Sequence, residues 1–163
     1  MKPQRWVDAF NVIHLIPEIV ELLGEYPEEA RERFLRMLLP LAASGGEIWT
    51  VVFDGPRGGR QLGPGPIEVV FAPSADSWIV SHLRSHPQPS SVTVVSSDEK
   101  DICRSARQLG ARVISSREFV ASIRRRRERA YTPRPVSEKP ESSSAAEIDY
   151  WLERFEADEE GNE

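Results

Sequence analysis

Cysteine is all but missing from this chain. Cys103 stands alone, so no internal disulfide can form, and the three histidines make no Cys/His cluster with it that could hold zinc. There is no apolar run of about 18 residues, the length a membrane-spanning helix requires. The N-terminus, MKPQRWVDAF, enters a strand almost at once and leaves no room for a signal peptide. These absences predict a reducing, cytoplasmic location with no membrane partner. No internal repeat is visible either.

What is present fits a globular protein: 163 residues, 39% hydrophobic and 29% charged, enough for one domain with a full core and an appendage. Its net charge of −5 conceals an uneven distribution. From Ser137 onward there are ten acidic residues against two basic, a local charge of −8, which leaves residues 1–136 at +3. A dense basic run, RRRRER, occupies positions 124–129. A basic body with an acidic tail points to a polyanionic partner.

Strand and helix patterns alternate along the body. RWVDAF reads as a first strand. PEIVELLGE reads as a short helix, and PEEARERFLRMLLPLAAS as a longer one that Pro40 should end or kink. EIWTVVFD is a continuous apolar run of the kind found when both faces of a sheet are covered. GPRGGRQLGPGP, with five glycines and three prolines in twelve residues, reads as a loop. IEVVFA is a third strand, SADSWIVSHLRSH a helix capped by Ser74, and SVTVVSS a fourth strand. DEKDICRSARQLG is a helix stopped by Gly110; ARVIS is a short fifth strand and SREFVASIRRRRERA a closing helix.

The pattern predicts an α/β domain over residues 1–130: a mostly parallel sheet of about five strands between two helical layers. The Pro-, Ser- and Glu-rich segment 131–146 predicts a disordered linker. In the acidic tail, 147–163, Ile148, Trp151, Leu152 and Phe155 form one apolar stripe on a short helix that needs a surface to dock on. That surface is the body itself or a protein partner, such as a ribosomal or RNA-processing one; alternatively, the tail's charge competes with RNA for the basic strip.

Ligands of a parallel sheet bind beyond the carboxyl ends of its strands. Asp8 lies near the end of the first strand, Asp54 finishes the second, Asp76 opens the helix after the third, and Asp98 follows the fourth, with Asp101 one turn on. Each has an ordinary explanation taken singly. Asp54 suits a turn, Asp76 and Asp98 suit first helical turns, and SSDE fits a capping box from Ser96 to Glu99. Asp8 has no cap or tight turn beside it. Gathered at one rim these carboxylates would repel one another, and a shared cation removes the repulsion. Hard oxygen donors without a His or Cys cluster select Mg²⁺ or Mn²⁺. Asn11 and Ser97 offer short polar side chains at the same rim. Arg57 and Arg60, on the glycine-rich loop, are candidates for RNA phosphate contact. The strip that begins with Arg124 and Arg125 is either an RNA-contacting surface or an ordinary solvated face.

The stretches VDAFNVIH, VVFDGPR, VVFAPSADSWI and VTVVSSDEKDICRSARQLGARVISSREF together resemble the NYN domain of the YacP-like group, in the PIN-domain-like ribonuclease superfamily. The likeness spans about residues 4–123. Where members of that family carry D-G-Y-N, this chain has Asp8-Ala9-Phe10-Asn11, which keeps both polar residues. The resemblance implies a PIN-like fold, an RNA substrate, and Mg²⁺- or Mn²⁺-dependent endoribonuclease activity through water activated at an Asp cluster. By position it implies Asp8, Asp76 and Asp98 as catalytic metal ligands and Asn11 as a supporting residue, with Asp54 and Asp101 as further ligand candidates. Ser97 joins Arg57, Arg60, Arg124 and Arg125 as candidates for RNA binding. A non-catalytic RNA-binding adaptor is the alternative, since some superfamily members are described only as RNA-binding. A receiver-like regulator also keeps acids at strand ends, but it wants a lysine on the fifth strand and ARVISS has none.

Overall fold

The structure, a computed structural model, describes residues 1–56 and 58–131, without the side chains of 130 and 131. The expected linker and tail helix lie outside the described residues, as does Arg57.

Six strands form one sheet in the order β3-β4-β2-β1-β5-β6. They are β1 Gln4–Asp8, β2 Ile48–Asp54, β3 Gly59–Leu62, β4 Ile67–Ala72, β5 Val92–Val95 and β6 Arg112–Ile114. Every pairing is parallel except that of β3 with β4. Around the sheet lie α1 Ala9–Ile13, α2 Pro17–Leu23, α3 Pro27–Ser44, α4 Ala75–Ser85, α5 Arg104–Gln108 and α6 Ser116–Tyr131.

Alternation along the strands explains the apolar runs. Val7, Val51, Phe53 and Val69 face one layer, where they pack with Ile13, Phe34, Leu38 and Phe119. Trp6, Val52, Val70 and Val94 face the other, against Ile79, Leu83, Ile102 and Ala106. Both faces are thus covered, as parallel sheets demand. Among the described residues no helix is long and apolar enough to cross a membrane.

Three local expectations need correction. The glycine-rich segment contains β3, so the strands number six and not about five. The stretch after Asp8 is not strand but the one-turn helix α1, which turns the chain off the sheet beside Asp8. Pro40 does not end α3, which runs on to Ser44. Gly110 does stop its helix: at φ 91° it adopts the left-handed conformation that glycine reaches without strain.

The strand order positions the site. The chain builds outward from β1 through β2 to β4, then returns by α4 to lay β5 on the other side of β1. The reversal leaves a crevice at the carboxyl ends of β1 and β5, the usual ligand position in open α/β sheets. Asp8 closes β1, Ser96 to Asp98 follow β5, and the first turn of the returning helix carries Asp76.

Candidate metal centre

Asp8 is 5% exposed, and its side chain does not cap α1. Instead its Oδ2 accepts a hydrogen bond from the buried Ser96 hydroxyl at 3.2 Å. The Ser96 Oγ in turn accepts from the Asp98 backbone N–H at 3.1 Å, so one hydroxyl links the ends of β1 and β5. Burial pushes the Asp8 carboxyl up to about 7, with the negative charge of Asp76 the next cause; the Ser96 bond pulls the other way. Asp76 is also held above the ordinary carboxylate range, first by burial and then by Asp98, Asp54 and Asp101.

Asp76, Asp98 and Asp101 each offer a carboxylate oxygen, and these lie within 4.8 Å of one another. Asp98 is placed by its own capping bond: its Oδ1 accepts from the Asp101 N–H at 3.0 Å. The turn it caps is wide, with the Cys103 N–H reaching back five residues to the Asp98 carbonyl at 2.9 Å. Such π-type turns are frequent at functional sites. The capping box expected from Ser96 to Glu99 does not form. Asp98 is the cap, Ser96 is committed to Asp8, and Glu99 pairs with Arg107 at 2.8 Å.

Asp54 is exposed at the end of β2, and its Oδ1 accepts from the Ala75 N–H at 2.9 Å. The bond fixes the first turn of α4, and with it Asp76. Asn11 is equally committed: its Oδ1 accepts from the Ser97 N–H at 2.9 Å and from the Ser116 hydroxyl at 2.5 Å. The Ser97 Oγ accepts from the Ser116 N–H at 2.9 Å. Asn11, Ser97 and Ser116 thus lock α1, the end of β5 and the start of α6 together. Asn11→Ala leaves two donors without an acceptor and is expected to cost about 1–3 kcal/mol, read as a lower urea midpoint at unchanged slope.

The basic candidates are less concentrated. Arg60 pairs with Glu68 across the β3–β4 ladder at 3.1 Å, its guanidinium 6.0 Å from the Trp78 ring. Arg124 and Arg125 are exposed on α6, which starts at the rim and leads away from it. At 1.5 Å per residue, the eight residues from Ser116 to Arg124 amount to about 12 Å.

Two cations escape a sequence reading. A groove of about 560 Å³ between α4 and α5 is lined by Arg84 and Lys100 together with Asp76 and Asp101. The sequence places Arg84 two turns after Asp76 and Lys100 beside Asp101, but only the packing of α4 against the turn after Asp98 brings the two cations to one groove. Ser96 and Ser116 were missed as well, because serine at a strand end reads as a cap or a turn.

Residues 6–157 match the family model of the YacP-like NYN domain. The chain belongs to the YacP-like NYN family. Two crystal structures of Rae1 (YacP) from Bacillus subtilis are similar to it. One aligns with a TM-score of 0.61 at 25% identity, covering 99% of this chain and 97% of that one. The other, of the W164L mutant, has a TM-score of 0.63 at 26% identity over 79% and 80% of the two chains. No curated protein matches the chain. Family and architecture together give it a PIN-like nuclease fold.

Proposed function

We propose that this NYN protein is an endoribonuclease that hydrolyses RNA phosphodiester bonds with Mg²⁺ or Mn²⁺. The observation that carries the reading is the approach of three carboxylates to within 4.8 Å, beside a fourth that is almost wholly buried. Asp76, Asp98, Asp101 and Asp8 would hold the cation. The donor set is oxygen alone, which suits these ions better than zinc. When bound, such an ion supplies Lewis acidity toward the scissile phosphate and lowers the pKa of water.

The remaining residues have supporting roles. Asp54 and Asn11 are positioning residues: the first anchors α4 through Ala75, the second joins α1 to Ser97 and Ser116. Ser96 sets the orientation of Asp8. Arg84 and Lys100 bind RNA phosphates along the groove that leaves Asp76 and Asp101, where attraction to the backbone draws the strand toward the acids. Arg60 is a weaker candidate, because Glu68 neutralises it.

Purified protein in Mn²⁺ or Mg²⁺ is expected to cut RNA internally, to stop in excess EDTA and to resume when the ion is restored. Turnover indifferent to EDTA overturns the proposal. Salt-sensitive RNA binding without turnover in Mn²⁺ makes the chain an RNA-binding adaptor instead.

A further inference from the structure

A second cavity, of about 400 Å³, opens on the other face of the sheet between α3 and the β3 arm. Its floor is aromatic: Phe53 and Phe71 stack at 5.6 Å with their planes 23° apart. The Arg31 guanidinium lies 5.7 Å from the Phe71 ring centre. Glu28 and Glu32 on α3 and Gln61 on β3 line the same cavity. The volume is within the range of small-molecule sites.

One end of the cavity lies one residue from the acidic rim. Phe53 directly precedes Asp54 and pairs in register with Phe71. A side-chain carbon placed on Gly55, the next residue, would lie 3.6 Å from the Phe71 ring. Arg31, in the first turns of α3, reaches Phe71 beside the rim, whereas Leu39, two turns on, lies by Gly65 before the start of β4, so α3 begins at the edge where the acids sit.

We propose that this cleft is a nucleobase subsite that receives an unpaired base flanking the scissile phosphate. The inference rests on the ribonuclease reading for its position and on the cleft's own chemistry for its ligand. Unpaired RNA bases are recognised by stacking on aromatic rings or arginine planes and by hydrogen bonds to their edges. The Arg31 guanidinium, which lies over the Phe71 ring, supplies the outer stacking plane, and Phe71 backs it. Arg31 can donate to a pair of acceptors, Glu28 or Glu32 can accept from a pair of donors, and Gln61 can do either. Guanine answers both demands, with O6 and N7 as acceptors and N1–H and the 2-amino group as donors, so it is the preferred base.

The test uses the full chain and short single-stranded RNAs in which one abasic nucleotide is walked across the cleaved bond. One position should stand out, where the missing base lowers kcat/KM about tenfold or more. Arg31→Ala and Phe71→Leu should lose a similar factor on intact RNA and become indifferent to the abasic site. Arg31 is only half-buried, so its variant keeps the test valid should Phe71→Leu fold poorly. A second readout needs no cleavage: 2-aminopurine at the same position in EDTA should be quenched on binding to the wild type and not to Phe71→Leu. Absence of quenching at every position, with a flat abasic profile, overturns the subsite and leaves the nuclease standing. Quenching at one position in an RNA that is never cut sinks the nuclease and leaves the subsite.

Discussion

Asp98→Asn is expected to reduce RNA cleavage by about 10²-fold or more while leaving the fold as stable as the wild type, because this substitution separates charge from geometry. The Asp98 Oδ1 caps the wide turn by accepting from the Asp101 N–H, and asparagine caps about as well as aspartate. The shape of the rim is therefore kept, and only the negative charge offered to a cation is lost. Asp98→Ala removes both, and should add about 1 kcal/mol of instability to the same loss of activity. Circular dichroism melts alongside cleavage in Mn²⁺ distinguish the two. Full activity in Asp98→Asn would remove this carboxylate from the machinery and reduce it to a cap.

The ordinary explanation of Asp98 and the functional one are both partly right. Its cap is real, and the same cap holds its carboxylate within reach of those of Asp76 and Asp101. A sequence shows both signals at once and cannot divide them, since a first-turn acid looks alike whether or not it serves a ligand. The convergence itself was legible, because parallel strands deliver their ends to one edge and four acids fell at or just after such ends. What remained hidden depended on contacts between distant segments. Ser96 reads as a turn residue until β1 and β5 are adjacent, and Arg84 joins Lys100 only once α4 packs against the turn after Asp98. β3 was concealed for another reason. GRQL is an exposed edge strand with no buried face, so no hydrophobic alternation marks it. α1 was concealed by its brevity: the five residues AFNVI are too few to tell a period of 3.6 from one of 2.

Asp8→Asn should have opposite effects on stability and on activity. Its carboxyl is raised from 3.8 to about 7 in the fold, so folding favours the protonated acid. At low pH the neutral form exists in both folded and unfolded chains and no penalty arises. Between about pH 4 and pH 7 the unfolded chain ionises first, and stability of the metal-free protein falls throughout that window. Above it the full cost is present, on the order of 4 kcal/mol at 1.36 kcal/mol per pKa unit. Asparagine carries no such penalty and can still meet the Ser96 hydroxyl. In EDTA at pH 8, Asp8→Asn is therefore expected to melt about 8–16 °C above the wild type, with the gap closing toward pH 4. Mn²⁺ should narrow the gap from the other side: it raises the wild-type melting temperature by binding only the folded chain, and raises that of the variant much less. Cleavage by Asp8→Asn should be lost under all these conditions. A variant less stable than the wild type in EDTA at pH 8 would mean that Asp8 is an ordinary structural acid satisfied by Ser96, and the case for a cation at this rim would lose its buried member.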